Sequence, residues 1–401
     1  MIDFELSDDH KAVEKMVRDW AARTVAPKIH DLDREHRFER SFLKDMAERQ
    51  ILGICIPEEW GGAGFDYISL GLACEELEYV DTHLRVIMSV HVGLCSMSLL
   101  AWGNDEQKRR FLMPQAKGEK IAGYGLTEPD AGSDAVAIQS TAIRKGDRYV
   151  LNGEKYWISL ADVADNFLVI AWSDLEKKKN RDHSGLSAFM VERSAKGFSS
   201  YPMKEKWGIL AGNTGGFVMQ DVEVPVENRL GAEGEGFKIA MFALENGRYT
   251  VASGATGLIR ACLDASVRYA NQRKAFGVTI GQHQLVKEMI AEMVSDYDAA
   301  RLLWLRAGWL KNEGRRNTRE TSLAKWFATV KSERAASDCV QIHGGNGYSD
   351  EYPAGRFFRN SKAAVIYEGT REIHKVMQAD YALGYRQDKP RRVDLPPFKR
   401  G

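Results

Sequence analysis

Residues 1–118 read as helical, with apolar residues recurring at helical spacing. Ser7 stands where an N-cap belongs, ahead of a stripe made of Val13, Met16, Val17, Trp20 and Ala21 that Pro27 stops. Asn104 with Gln107 makes a capping-box start before Phe111 and Leu112. Residues 54–64 are rich in Gly and Pro and read as a loop, and another helix begins near Asp66. The most apolar stretch, 84–102, is long enough to span a membrane. It carries Arg85, His91 and several small or polar residues, which predicts a buried core helix instead. The period changes near Lys120. Residues 148–151, Asn152-Gly153 and 155–159 read as a hairpin with a tight turn, and 167–172, 186–191 and 217–224 as further strands. After Gly236 the helical period returns, in long amphipathic runs at 238–271, 282–312, 319–343 and 370–383. The tail from Arg386, rich in Lys, Arg and Pro, is expected to be loosely held. The pattern predicts an α+β protein of three domains: an N-terminal helical domain at 1–119, a middle β-barrel at 120–233 and a C-terminal four-helix bundle at 234–401.

Bulk properties narrow the function. A chain of 401 residues is long enough for two or three cores. Lys plus Arg, at 56, equals Asp plus Glu, so nothing favours a nucleic-acid or other polyanion partner. The five cysteines lie far apart with no Cys-x-x-Cys, which suggests neither zinc nor a disulfide framework and fits a reducing compartment. The acidic N-terminus lacks the features of a secretory signal and of a transit peptide. The expectation is a cytoplasmic bacterial or archaeal protein, or one of the mitochondrial matrix if the chain is a mature eukaryotic one, with no membrane insertion. No Gly-x-Gly-x-x-Gly opens a helix after a strand, and neither a Walker loop nor His-Glu-x-x-His occurs. The cluster Gly231-Ala-Glu-Gly-Glu-Gly236 lacks that spacing and reads as a loop.

Three runs carry chemistry. Ile366-Tyr-Glu-Gly-Thr-Arg-Glu-Ile373 sets one carboxylate, Glu368, between an apolar pair and a Gly-Thr step that opens a helix. Desolvation raises the basicity of such a carboxylate, as a general base for a weakly acidic proton requires. A surface Glu at a helix N-terminus is the plain alternative. Gln341-Ile-His-Gly-Gly-Asn-Gly-Tyr348 and Tyr124-Gly-Leu-Thr-Glu-Pro-Asp-Ala-Gly-Ser-Asp134 are the other two. Together, in this order and spacing, the runs resemble the acyl-CoA dehydrogenase family of flavoenzymes over nearly the whole chain.

The resemblance implies FAD as cofactor and assigns roles residue by residue. Tyr124 belongs to the first signature, in which the Leu126 backbone and the Thr127 side chain meet the flavin's pyrimidine edge and stabilise charge as hydride arrives. Asp130 stands where many members have Gly. Trp157-Ile-Ser159 is similar to the family's Trp-Ile-Ser, with Trp157 on the flavin ring and Ser159 near N5; read alone, Trp157 is equally a core residue of a strand. Leu160-Ala161 replace the usual next pair. Arg273, whose fork suits a diphosphate, Phe276 and Gln284 would contact a neighbouring subunit's flavin, joined by Gln341, Gly344 and Gly345. Thr370 and Glu372 complete the flavin set. Glu245-Asn-Gly-Arg248 resembles the segment that holds the pantetheine arm, with Ser133 on the opposite wall and Tyr367 and Gly369 beside the acyl group. Some branches place the catalytic carboxylate where this chain has Gly247, so the base falls to Glu368.

The implied reaction is removal of the pro-R α-proton by Glu368 with hydride transfer from the β-carbon, giving a trans-2-enoyl-CoA. The implied partners are an acyl-CoA, electron-transfer flavoprotein and further copies of the chain in a homotetramer, a dimer of dimers. An oxidase on the same fold is one alternative. A non-enzymatic DNA-binding offshoot is another, and it needs a basic C-terminal domain. Substrate turns on Arg85, inside an apolar run where a cation is costly without an anion. Glu78, seven residues back on the same face of one helix, can be an internal partner, as can Glu75 or Asp81. Alternatively, Glu78 and Arg85 resemble the pair lining the acyl pocket in the glutaryl-CoA dehydrogenase branch, where the Arg holds a second carboxylate. That reading favours a dicarboxylic acyl-CoA such as glutaryl-CoA; a short- or medium-chain monocarboxylic substrate is the alternative.

Overall fold

The computed structural model describes residues 5–388 together with 393, 395 and 396. Ser7 caps the Asp8–Trp20 helix in a capping box with His10, and Asn104 and Gln107 make the second capping box. Asp66 caps the Tyr67–Val80 helix, taking the Ser69 amide at 2.8 Å, while its other oxygen receives Asn312 and His10. The apolar stretch is the helical run Thr82–Trp102. It is long and apolar enough to cross a membrane, and 89% of its most apolar window is buried inside the protein.

The middle of the chain is built from β1 (Ala122–Gly125), β2 (Thr141–Lys145), β3 (Arg148–Ser159), β4 (Asn166–Trp172), β5 (Leu186–Glu192), β6 (Phe198–Pro202), β7 (Thr214–Pro225) and β8 (Arg229–Leu230). They run in the order β6-β7-β3-β2-β4-β5-β8, with β1 parallel to β4. One residue pair, Thr141 with Trp172, joins the β2 and β4 halves, so the barrel wraps on a narrow seam around Phe167, Phe198 and Phe217.

The hairpin expected at Asn152-Gly153 is absent. Residues 148–159 form one continuous strand, and the tight turn lies earlier, at Gly146-Asp147 between β2 and β3. Asn152-Gly153 is instead a bulge against β7. The Asn152 side chain pairs with Asp221, accepting its amide at 2.8 Å, and Gly153 takes φ 141° where a Cβ would strike Ser140. Tertiary pairing with β7 outweighs the local turn signal.

The predicted C-terminal helices run Gly236–Gln272, Gln284–Asn312, Thr318–His343 and Arg371–Leu383. A fifth, Ala354–Ala364, escaped the sequence reading because it is short and follows a Gly-rich run. The 37-residue Gly236–Gln272 helix packs on the Thr318–His343, Gln284–Asn312 and Tyr67–Val80 helices and so ties the two helical regions together. Much of the expected loose tail lies outside the described residues. Where it is described it is held: Leu395 is buried, and the Pro396 carbonyl accepts the Tyr67 hydroxyl at 3.1 Å.

Candidate active site

Glu368 is not an ordinary surface residue. It stands between the Ala354–Ala364 helix and Thr370, which caps the Arg371–Leu383 helix by accepting the Ile373 amide. Its backbone is left-handed, φ 54°, as is that of Gly369 at 98°. For a non-glycine residue that conformation costs roughly 1–3 kcal/mol and persists only where the surroundings enforce it. Here two cations enforce it. The Lys325 ammonium donates to the Tyr367 carbonyl at 2.9 Å and to the Gly369 carbonyl at 2.7 Å, and Arg248 Nε donates to the Glu368 carbonyl at 2.9 Å. Three consecutive carbonyls are thus gathered onto two buried side chains.

The Glu368 carboxylate points inward, and its buried Oε2 has no hydrogen-bond partner among the described residues. Burial pushes the group up from 4.5 to about 7, against the pull of Arg85, Lys325 and Arg248. A carboxylate of that basicity, with an oxygen left bare, is suited to accept a proton from a bound molecule. Gly247, on the Gly236–Gln272 helix, supplies the room: a Cβ there would collide with Glu368 Oε2. A carboxylate carried on position 247 and one carried on 368 would therefore compete for the same space.

Arg85 closes one side. It is buried; its Nε meets Glu78 Oε2 at 2.6 Å, its Nη1 donates to Ser89 Oγ at 3.1 Å, and its Nη2 reaches the Tyr367 hydroxyl. Ser89 continues to Thr250 at 2.6 Å. The expectation of one helix from Glu78 past Arg85 needs correction. The chain breaks at extended Asp81, which caps the next helix through the His83 amide and also binds Arg356 and Asn360. Of the internal partners considered for Arg85, Asp81 is therefore taken, and Glu75 is held by Arg301 and Tyr297. Glu78 is the partner, across the break.

The remaining residues fall into two groups. Tyr124 lies in β1 with a buried hydroxyl that has no partner among the described residues, and burial raises its pKa with Cys95 and Glu368 adding to the rise. The Leu126 carbonyl accepts buried Lys155 at 3.0 Å, and the Thr127 carbonyl accepts the Tyr156 amide at 2.9 Å, which sets the 124–127 run beside 156–159. Trp157 is 57% exposed, with φ 57°, so it is no core residue. Ser159 pairs with Thr214, and Leu160 turns the chain in the left-handed region. Ser133 lies on an exposed loop. Glu245 accepts Thr318 Oγ1 at 2.8 Å, and its charge acts on Arg248 beside that of Glu368. Glu372 is exposed and paired with Arg371.

The second group gathers at the far end of the bundle. Arg273 follows the Gly236–Gln272 helix and is exposed; Phe276 is 96% exposed on the adjoining turn, and Gln284 begins the next helix. Gln341 and Gly344-Gly345 end the Thr318–His343 helix alongside, linked through Asn346 and the Tyr269 hydroxyl at 2.9 Å. Added Cβ atoms at Gly344 and Gly345 would meet nothing. Arg273 is 25 residues from Arg248 on one helix, about 37 Å at the helical rise. The two groups of one chain therefore face separate places.

Sequence reasoning missed Lys325, Ser322 and His374. Ser322 Oγ and His374 Nδ1 lie 2.8 Å apart, and the buried His374 Nε2 has no partner among the described residues. The signal was a lone lysine among Ser322, Ala324, Ala328, Thr329 and Ser332, on a helix face too small-sided to be solvated.

Family models match along the chain: "Acyl-CoA dehydrogenase, N-terminal domain" at residues 7–119, the middle domain at 123–222 and the C-terminal domain at 234–382. The chain is 39% identical over 376 residues to the short-chain specific acyl-CoA dehydrogenase of Clostridium acetobutylicum, covering 94% of this chain and 98% of that one. It is 37% identical over 391 residues to the glutaryl-CoA dehydrogenase of Desulfococcus multivorans, covering 96% and 99%. A solved acyl-CoA dehydrogenase from Bacillus anthracis, complexed with FAD, superposes with a TM-score of 0.89 at 34% identity, over 96% of this chain and 68% of that one.

Proposed function

This chain belongs to the acyl-CoA dehydrogenase family, an oxidoreductase family that uses FAD, and we propose how its own residues carry out the reaction. Glu368 is the base that removes the pro-R α-proton of an acyl-CoA thioester, and the product is a trans-2-enoyl-CoA. The observation that carries this reading is the bare, buried Oε2, raised toward neutrality and held by a strained backbone. Bound FAD supplies the hydride acceptor for the β-carbon.

The residues present fit a flavin. Trp157 offers an exposed indole beside the 124–127 run, and the Tyr124 hydroxyl has no partner among the described residues. Leu126, Thr127 and Ser159 would hold the ring's polar edge, and Thr370 and Glu372 would complete the set. Arg273, Phe276, Gln284, Gln341, Gly344 and Gly345 suit the diphosphate end, where glycine lets backbone amides approach an anion. Because that group stands about 37 Å from Arg248 along one helix, we assign it to a neighbouring copy's flavin and expect a homotetramer, a dimer of dimers. Ser133, Glu245, Arg248 and Gly369 are assigned to the coenzyme A arm. Electrons leave to electron-transfer flavoprotein. Domain boundaries at 119/120 and 233/234 follow the changes of element type.

For the acyl group, we favour a dicarboxylic chain. Arg85 gives Nε to Glu78, Nη1 to Ser89 and Nη2 to the Tyr367 hydroxyl, and it acts electrostatically on Glu368, so its charge bears on the site. The relatives include both short-chain and glutaryl-CoA enzymes. Anaerobic bleaching of the flavin by butyryl-, octanoyl- and glutaryl-CoA tests this: glutaryl-CoA should reduce fastest at limiting concentration, and a preference for butyryl-CoA rejects the dicarboxylic assignment.

A further inference from the structure

The segment that carries Glu368 has no secondary structure of its own to hold it. Its three carbonyls at 367, 368 and 369 are the part of the chain that sets where the side chain leaves the backbone. Lys325 takes the outer two and Arg248 the middle one. Lys325 is buried on the Thr318–His343 helix, a rigid element, and its ammonium lies over the Tyr367 ring at 6.0 Å. One turn earlier, Ser322 holds His374, whose ring lies beside Gly369. Arg248 belongs to a different helix and grips only one carbonyl, so it leaves the peptides on either side free to rotate. With both outer carbonyls fixed to one nitrogen, the 367–369 arc cannot flatten, and the left-handed Glu368 follows.

We propose that Lys325 is a positioning residue for the base: it clamps the Tyr367 and Gly369 carbonyls so that Glu368 stays left-handed with its carboxylate aimed into the site. This inference rests on Glu368 being the base. A buried ammonium this close also favours the ionised carboxylate. The groups facing Glu368 are Arg85, Lys325, Arg248, Tyr367 and Tyr124, and those facing Lys325 are Glu368, Arg248, Arg85, Glu372 and His374. Burial pushes Lys325 down to about 7, with Glu368 working against that fall. The ammonium therefore persists best while Glu368 is ionised.

The test is anaerobic flavin reduction across pH in wild type, K325M, K325R and E368Q, all as holoenzyme with flavin content measured. In K325M the limiting rate should fall on the order of 10²-fold, the loss typical of a base misplaced by about an ångström. The pH midpoint should rise by about one unit, because an opposing charge is gone. K325R, which keeps the charge and the donors, should recover part of both. A K325M enzyme with wild-type rate and midpoint overturns the proposal. So does a slow K325M whose midpoint is unchanged and which K325R fails to rescue, since that marks a packing role. If K325M gives no holoenzyme, K325Q gives the same comparison with the charge removed and one donor kept. E368Q separates the two levels: reduction by E368Q removes the base assignment itself, whereas inert E368Q beside a normal K325M removes only the clamp.

Discussion

Replacing Glu368 by Gln should make the protein more stable, and more so as pH rises. The folded state raises this carboxyl from 4.5 to about 7. A group raised on folding contributes stability that is fully present below its unfolded pKa and is lost as pH climbs through the folded one. Ionisation therefore removes stability from about pH 4.5 to about pH 7, and at 1.36 kcal/mol per pH unit the total is about 3 kcal/mol. Gln mimics the protonated form and escapes that loss. A chain of this length has an unfolding entropy near 0.8 kcal/mol/K, from about 2.1 cal/mol/K per residue. The melting advantage of E368Q should then be about 4 °C at pH 8.5 and about 2 °C at pH 5.5. Calorimetric or fluorescence melts at fixed protein and FAD concentration measure it, since ligand and assembly both shift the midpoint. A margin that is flat with pH, or an E368Q that melts lower at pH 8.5, would refute the claim that Glu368 is held at raised basicity.

Other outcomes follow from the same geometry. Gly247→Ala puts a methyl where Glu368 Oε2 lies and should slow flavin reduction on the order of 10²-fold with flavin content intact; an unchanged rate shows that the carboxylate sits elsewhere. Arg85→Met is made together with Glu78→Gln, so that no buried charge is stranded. The pair should lose roughly 2–5 kcal/mol of preference for glutaryl- over butyryl-CoA, and an unmoved ratio makes Arg85 structural. Arg273→Ala should lower flavin content and loosen the assembly together; light scattering that finds a monomeric holoprotein in wild type contradicts the shared site.

The sequence made the helices, the β region and the separate pieces of the site legible, because caps, periodicity and local motifs are local signals. Ser7, Asn104 and Thr370 cap where side-chain chemistry says they should. What it hid was decided by distant partners. Asn152-Gly153 looked like a turn until Asp221 on another strand claimed the Asn152 side chain. Glu78 and Arg85 looked like neighbours on one helix, yet Asp81, drawn away by Arg356 and Asn360, breaks the chain between them. Trp157 carried no mark of exposure, and its left-handed backbone is imposed by the bulged pairing of β3 with β7. Lys325 lies 43 residues from Glu368, and nothing short of the fold shows that the two meet.

The central claim is that Glu368 takes the α-proton. Anaerobic stopped-flow reduction of E368Q by an acyl-CoA that wild type accepts tests it directly, with FAD content and acyl-CoA binding checked on the same sample. The account predicts both bindings retained and a reduction rate lower by on the order of 10²–10⁴-fold or more. Reduction within about tenfold of wild type would contradict it and pass the role to another group.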